Sequence, residues 1–279
     1  MSIALFSLIT FLGSLLAGLL GALTGLGGGV IIIPLLTLGL GVDLQYAIGA
    51  SLISVIATSS GAASAYVKEG ITNMRIGMFL EVATTLGAVI AVVLLARYLP
   101  KNIIGIIFGF ILLFSAFMST RKKVNHETHV PSGYWASTFK LNGTYPGPNG
   151  EQHYTVLNVI GGFVMMFFAG IMSGLLGIGS GALKVLAMDN IMRIPFKVST
   201  TTSNFMIGVT GAASAVVYFQ KGYIIPGIAA PVMLGVLIGA MLGARILVKA
   251  QTKWLRIGFA IVVTYLAIQM IYNGFKGIV

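Results

Sequence analysis

Gly25-Leu-Gly-Gly-Gly29 and Gly177-Ile-Gly-Ser-Gly181 each interrupt an apolar run that is too long for a single membrane-spanning helix. The two runs cover residues 3–40 and 156–192, whereas about 20 apolar residues suffice to cross a bilayer as a helix. Glycine disfavours a helix interior and permits backbone conformations that other residues avoid. Each run therefore predicts a long helix, a break and a second helix of about 11 residues, which would reach about halfway across the membrane.

The two glycine stretches occupy equivalent positions of an internal repeat. A shift of 152 residues aligns the halves of the chain without a gap, so that Gly25–Gly29 meets Gly177–Gly181. The same shift brings Ser51 onto Ser203 and also pairs tyrosine with tyrosine and lysine with lysine. A fixed offset that holds over about 90 residues is typical of a duplicated unit. We therefore predict two structurally equivalent halves.

The composition excludes a water-soluble globule. Only 8% of the residues are charged and 57% are hydrophobic, whereas an average soluble domain is about 25% charged. The positive charges behind the net +11 lie between apolar runs rather than in one patch, which favours topology-setting loops over nucleic-acid binding. The absence of cysteine excludes disulfides, thiolate metal sites and cysteine nucleophiles. Because the spans also hold no catalytic constellation, we predict an integral membrane protein that is not an enzyme, with no metal and no cofactor.

The distribution of Lys and Arg decides how the repeats are oriented. If each broken segment crosses the membrane once, the repeats are parallel and the positive charges divide 8 to 9. If each broken segment instead enters the membrane and returns to the same side, each half crosses an odd number of times and the repeats are inverted. In that arrangement 13 of the positive charges lie on one side. The four on the other side are Arg97, Lys101, Lys221 and Lys276. Because cytoplasmic loops carry the excess of Lys and Arg, we predict an all-α polytopic fold of two inverted-topology repeats, each with one re-entrant segment and three spanning helices.

A polar segment separates the two repeats. We assign residues 1–119 to the first transmembrane repeat, 120–155 to a cytoplasmic loop and 156–279 to the second repeat. Within the loop, Tyr134–Tyr145 has a strand-like composition and Gly147-Pro-Asn-Gly150 is a turn signal. This pattern predicts a small β-hairpin.

The helices that begin at the glycine breaks are candidates for an anion site. A helix start presents free N–H groups and the positive end of the helix dipole. If the repeats are inverted, two such starts face each other and form a cage for an anion. The alternative is that the glycines serve only close packing or a tight turn. The predicted backbone ligands are Gly25, Gly27, Gly28, Gly29, Gly177, Gly179, Ser180 and Gly181.

Polar residues after each break supply candidate side-chain ligands. Ser51 and Ser203 are equivalent in the repeat, and Ser203 belongs to the polar run Ser199–Asn204. Lys184 adds a positive charge where the first repeat has Ile32. The alternatives are hydroxyls that bond the carbonyls of their own helix and a lysine that extends to the membrane interface. The predicted side-chain ligands are Ser51, Lys184, Thr202, Ser203 and Asn204.

Glu81 lies well inside an apolar span. Carboxylates within membranes are rare and often carry protons. Glu81 is therefore the candidate for proton coupling, and the alternative is an interfacial pair with a nearby Lys or Arg.

The glycine motifs also carry a family resemblance. The string Gly21–Pro34 resembles the opening motif of the sulfite exporter TauE/SafE family, of the 4-toluene sulfonate uptake permease type. Gly174–Lys184 is similar to the repeat of that motif, and so are Ser199–Asn204 and the Gly-Ala-Ala-Ser-Ala sequence that begins at residue 211. The second copy departs from the first at Ser180 and Leu186, where the first copy has glycine and proline. The two half-sites are therefore not expected to bind identically.

The resemblance implies a multi-pass transporter in the cytoplasmic membrane of a bacterium or archaeon. It also implies export or exchange of small sulfur-containing anions such as sulfite, sulfoacetate or other organosulfonates. We predict a secondary transporter with alternating access around a midplane anion site. The alternatives are an anion channel, a permease for another small oxyanion or carboxylate, and a membrane scaffold or intramembrane enzyme. The expected partners are the anion, the bilayer and protons as a candidate coupling ion, with no nucleic acid and with a homodimer left open.

Overall fold

A computed structural model describes residues 2–24, 27–68, 70–95, 98–120, 133–147, 150–249 and 253–277. The first half consists of α1 (Ile3–Thr24), α2 (Gly29–Pro34), a π-helical turn (Leu35–Gly39), α3 (Leu44–Lys68), α4 (Met74–Val93) and α5 (Lys101–Thr120). The central segment holds α6 (Tyr134–Thr138), β1 (Gly143–Gly147) and β2 (Gly150–Tyr154). The second half consists of α7 (Val159–Leu176), α8 (Gly181–Leu186), a π-helical turn (Ala187–Ile191), α9 (Phe196–Gln220), α10 (Pro226–Lys249) and α11 (Lys253–Lys276).

Helices long and apolar enough to cross a membrane are present in both halves. Among the described residues they are Ile3–Ala22, Met74–Val93, Val159–Leu176 and Pro226–Arg245. Helices α3 and α9 have 25 residues each, a length of about 37 Å, but they carry the polar patches. The prediction of a helical membrane protein with a central hairpin is confirmed.

The backbone repeats with the same offset as the sequence. Helices α2 and α8 begin at residues 29 and 181, and α3 and α9 begin at residues 44 and 196. Both short helices continue into a π-helical turn of five residues. The short helix plus its turn spans 11 residues in each half, which is the length predicted from the glycine breaks.

Glycines provide the closest helix contacts. Gly235, Gly239 and Gly243 of α10 all face α1, and a Cβ at any of them would overlap the α1 backbone or side chains. Gly170 and Gly174 of α7 approach the backbone of α4 in the same way. Lipid-embedded helices gain little from hydrophobic contact with each other, so small residues that permit close van der Waals packing hold them together. Close helix packing is therefore one reason for the high glycine content.

The equivalent helices α3 and α9 cross the centre of the molecule side by side in opposite directions. Ser59 Oγ donates a hydrogen bond to the Phe205 carbonyl at 3.2 Å. Further back along α3, Val55 lies against Gly211, which comes later in α9. The residue numbers therefore rise along one helix as they fall along the other.

The central hairpin forms where predicted, but the segment before it is helical. Strands β1 and β2 are antiparallel, with Gly147 opposite Gly150 at the turn. The strand-like interpretation of Tyr134–Tyr145 is wrong for its first five residues, because Tyr134–Thr138 is α6. The hydroxyls of Ser137 and Thr138 donate to the Tyr134 carbonyl at 2.8 and 2.9 Å, which stabilises the single helical turn. Residues 121–132 of the predicted loop and the predicted ligand Gly25 lie outside the described residues.

Asn73 attaches the hairpin to α4. Its Oδ1 accepts from the Ile76 amide at 3.1 Å and so caps α4. Its Nδ2 donates to the Tyr154 hydroxyl at 2.7 Å and to the Leu141 carbonyl at 3.3 Å. Burial raises the pKa of Tyr154, and the hydrogen bond from Asn73 offsets part of that rise. A cavity of about 280 Å³ lies beside this junction.

Tyr154→Phe is expected to loosen the hairpin. The change removes the nearer of the two acceptors of Asn73 Nδ2 and costs about 1 kcal/mol, so hydrogen exchange should accelerate about fivefold in β2 and at the start of α4. The matched control is Tyr145→Phe, because the Tyr145 hydroxyl bonds Gln152 within the hairpin. If the hydrogen-exchange rate of the Ile76 amide were unchanged in Tyr154→Phe, the anchoring role of Asn73 would be contradicted.

Candidate functional site

The two glycine breaks meet beside α9. Gly27 and Gly179 have φ angles of +82° and +72°, a left-handed conformation that glycine adopts without a steric penalty. The Ile207 side chain contacts both positions, since a Cβ at Gly27 would lie 3.5 Å from its Cγ2 and a Cβ at Gly179 would overlap that atom. The same Cβ at Gly27 would lie 3.6 Å from the Ile178 carbonyl oxygen. Two segments 152 positions apart in the sequence thus lie next to each other.

Ser51 connects the two breaks. Its side chain is fully buried on α3, and its Oγ donates to the Gly177 carbonyl at 2.7 Å. The same Oγ lies against Gly29, where an added Cβ would overlap it. A single hydroxyl thereby contacts the break of the second half and the start of α2 in the first half.

Ser203 and Asn204 bring polar groups to the same region from α9. Ser203 Oγ donates to the Gly181 carbonyl at 3.3 Å. Asn204 is 1% exposed, and neither its Nδ2 nor its Oδ1 has a hydrogen-bond partner among the described residues. Buried amides are nearly always paired, so an unpaired one needs an explanation. Asn204 precedes Ile207 by three residues and therefore shares the helix face that touches both breaks.

The rest of the polar run satisfies backbone groups. Ser199, Thr200 and Thr201 donate to carbonyls at the start of α9 or in the loop before α4. Thr202 Oγ1 accepts from the Asn73 amide at 3.1 Å and so helps to hold the start of α4. These contacts match the alternative interpretation of the run, in which hydroxyls bond nearby backbone. Thr202 as an anion ligand stays a prediction.

The second break differs from the first at Ser180. This residue has a φ of +45°, and its Oγ donates to the Ala169 carbonyl of α7 at 2.5 Å. Its counterpart Gly28 has a φ of −67° and lies close to the Thr58 hydroxyl. The Ser180 side chain is therefore turned towards α7, and any contact with a ligand would come from its backbone.

Lys184 and Glu81 form a buried ion pair, and Thr210 lies between them. Lys184 Nζ donates to Thr210 Oγ1 at 2.5 Å, and Thr210 Oγ1 donates to Glu81 Oε1 at 2.5 Å. Lys184 Nζ also lies 3.7 Å from Glu81 Oε2. Lys184 is completely buried and Glu81 is 7% exposed. We call these three residues the charge triad.

The charge triad bears on the interfacial alternatives for Lys184 and Glu81, and it includes Thr210, which was not a predicted ligand. Neither Lys184 nor Glu81 extends to the interface, and each is the other's partner. Their opposite charges inside apolar segments were the available signal, since charges within membranes generally pair. Thr210 matches Thr58 in the repeat and belongs to the polar patch of the second half, but it was not a predicted ligand, because its role depends on the approach of α4, α8 and α9.

The comparisons with known proteins match this chain to membrane transporters. A family model described as sulfite exporter TauE/SafE matches residues 10–270. The chain is 30% identical over 277 residues to the probable membrane transporter protein YunE of Bacillus subtilis, covering 96% of this chain and 98% of the relative. It is 27% identical over 282 residues to a probable membrane transporter protein of Xylella fastidiosa, covering 98% of each. It is 23% identical over 258 residues to the probable membrane transporter protein MJ0441 of Methanocaldococcus jannaschii, covering 87% of this chain and 86% of the relative. No solved structure matches.

Proposed function

Because the chain belongs to the sulfite exporter TauE/SafE family of membrane transporters, we propose that it is a secondary transporter that exports small sulfur-containing anions. Sulfite and sulfoacetate-like organosulfonates are the proposed substrates. The proposed location is the cell membrane of a prokaryote, which agrees with the bacterial and archaeal sources of the relatives. The apolar helices of both halves make it a multi-pass membrane protein.

The proposed anion site lies between the two glycine breaks. The unpaired, buried amide of Asn204 is the single observation that carries this proposal. Its Nδ2 supplies two N–H donors, and a sulfonate or sulfite oxygen accepts such bonds. Ser51 and Ser203 would complete the ligand set by turning their hydroxyls from the Gly177 and Gly181 carbonyls to the anion, together with the backbone at the starts of α2 and α8. An anion there would accept from the Asn204 Nδ2, which has no partner among the described residues.

Lys184 is the proposed source of positive charge for this site. In the unloaded protein its charge is balanced by Glu81 through Thr210. Binding would therefore require the anion to compete with Glu81 for Lys184.

Alternating access is proposed on the basis of inverted repeats. The antiparallel contact of α3 with α9 supports inversion. The equivalent helices α5 and α11 are also in antiparallel contact. Gly109 of α5 approaches Ile271 of α11, while Gly274 of α11 approaches Ile106 of α5. Equivalent helices that run in opposite directions fit a two-fold axis in the membrane plane, as in many secondary transporters. Together with the 13-to-4 charge split, this arrangement favours a cytoplasmic 120–155 loop.

Asn204→Ala tests the site in proteoliposomes. We expect wild-type protein to catalyse saturable, trans-stimulated exchange of sulfoacetate. Asn204→Ala should weaken apparent affinity at least tenfold, about 1.4 kcal/mol, without lowering the melting temperature, since the amide has no partner among the described residues. A purely structural asparagine would instead lower the melting temperature.

The matched control is Ser214→Ala. Ser214 is equally buried on α9, but its hydroxyl bonds the Thr210 carbonyl of its own helix, so exchange should be unchanged. Normal affinity in Asn204→Ala would contradict the site. Large unitary currents would indicate a channel, and the absence of both sulfite and sulfoacetate flux would contradict the substrate class.

A further inference from the structure

We infer that the charge triad couples anion binding to the uptake of one proton by Glu81. The bound anion replaces Glu81 as the counter-ion of Lys184, and the released carboxylate becomes protonated. This inference rests on the proposed function and names the coupling ion for the same site.

The triad is built so that the two charges are held together indirectly. Thr210 Oγ1 stands between Lys184 Nζ and Glu81 Oε1, at 2.5 Å from each. The direct approach of Nζ to Oε2 is 3.7 Å, and Oε2 has no hydrogen-bond partner among the described residues. One carboxylate oxygen is thus engaged by hydroxyls, while the other is left to accept a proton.

Among the described residues, Lys184 is the charged group that pairs with Glu81. Asp189, the other buried charged residue nearby, lies five positions after Lys184 in the turn that follows α8. Helix α7 contains no ionisable residue, and the ionisable residues of α9 are Lys197 and Tyr218, thirteen positions before and eight after Thr210. On α4 itself, Arg75 lies six positions before Glu81 and is exposed. On α5, which contacts α8, the ionisable residue is Lys101 at the first position.

This isolation makes the protonation of Glu81 a consequence of anion binding. When an anion pairs with Lys184, the described helices around Glu81 offer it no second cation, and a buried carboxylate without a counter-ion favours its neutral form. One proton passes from water to a Glu81 oxygen, and no covalent bond other than that O–H is formed. The proton cancels one charge of the anion, so fully ionised sulfoacetate, a dianion, adds one net negative charge to the site instead of two.

Thr85 provides a second hydroxyl for Glu81. Its Oγ1 donates to Glu81 Oε1 at 2.9 Å, the same oxygen that accepts from Thr210. Oε2 is therefore the oxygen that takes the proton. Proton and anion move in the same direction, so export proceeds when the anion gradient outweighs the opposing proton gradient.

The number of protons taken up on binding tests the inference. Sulfoacetate stays fully ionised between about pH 6 and pH 8, so it takes up no proton itself. Calorimetric titration of purified protein in buffers of different ionisation enthalpy should give about one proton per sulfoacetate for wild type, with affinity falling about tenfold for each unit of rising pH. Glu81→Gln should bind with about zero protons and little pH dependence, because glutamine imitates the protonated carboxyl.

Two controls separate this result from other causes. Asp43→Asn removes an acid that pairs with Lys101 at the surface, and it should leave the proton count at about one. Glu81→Asp keeps a carboxyl and should also keep that count, which covers the case in which Glu81→Gln does not fold. Sulfoacetate binding by wild type without proton uptake would overturn this inference and leave the proposed function intact. No sulfoacetate binding by wild type would contradict the proposed function itself.

Discussion

Lys184→Met is expected to abolish anion binding and to destabilise the protein by about 3–5 kcal/mol, the usual cost of removing one partner of a buried ion pair. Glu81 is 7% exposed and would lose its counter-ion, while Thr210 would lose its donor. Methionine has a similar length and leaves no large cavity, so the effect reports the charge. Thermal unfolding in detergent and equilibrium binding of sulfoacetate provide the two measurements.

The double variant Lys184→Met/Glu81→Gln distinguishes stability from function. Removing both charges leaves no uncompensated ion, so most of the lost stability should return, while anion binding should stay absent. Such non-additivity is the signature of two groups in one hydrogen-bond and ion-pair network. A single Lys184→Met variant as stable as wild type would contradict an ionised Glu81 in the resting protein.

Lys101→Met is the matched control for a lysine in an ion pair. Lys101 Nζ lies 2.5 Å from Asp43 Oδ2, but both side chains are 42% exposed, and exposed pairs contribute about 0–1 kcal/mol. Burial raises the pKa of Asp43, but its hydrogen bonds to Lys101 and to the Gln45 amide outweigh this and hold it below its ordinary value. The Asp43–Lys101 pair therefore stays formed at neutral pH, and its loss should hardly change stability or anion binding.

Gly179→Ala is expected to destabilise the protein by about 2–5 kcal/mol and to stop transport. Two effects combine, since a left-handed backbone costs a non-glycine residue about 1–2 kcal/mol and overpacking costs about 1–3 kcal/mol. At this position φ is +72°, and the added Cβ would overlap Ile207 Cγ2 and lie 3.0 Å from Val55 Cγ1. Either adjustment changes the shape of the region where the breaks meet.

Two further glycine substitutions separate these effects. Gly222 has a φ of +74° with open space around it, so Gly222→Ala isolates the backbone term and should leave transport intact. Gly29 has no positive φ but is crowded by Ser51 Oγ and by Val55 Cγ2 at 3.0 Å, so Gly29→Ala isolates crowding and should impair transport. Full transport in both Gly179→Ala and Gly29→Ala would contradict a ligand site at the breaks.

Local patterns predicted the architecture because its signals are local. An apolar run longer than a bilayer and a glycine cluster within it lie in consecutive residues, and the repeat is a comparison of two such stretches along the chain; the element boundaries follow them. Tyr134–Thr138 was the exception, since its aromatic and hydroxyl residues are typical of a strand. The hydroxyls of Ser137 and Thr138 instead donate to the Tyr134 carbonyl within one helical turn.

The candidate site likewise has a part that the sequence predicted and a part that only the structure revealed. The sequence by itself determined a membrane protein of two glycine-broken repeats. It also identified Lys184 and Glu81 as charges within apolar spans, and Ser51, Ser203 and Asn204 as candidate polar ligands. Only the tertiary structure decided that Lys184 and Glu81 neutralise each other and that Thr210, 129 positions from Glu81, joins them. Hydropathy and spacing report how each helix meets the membrane, whereas the partner of a buried charge depends on which helices pack together.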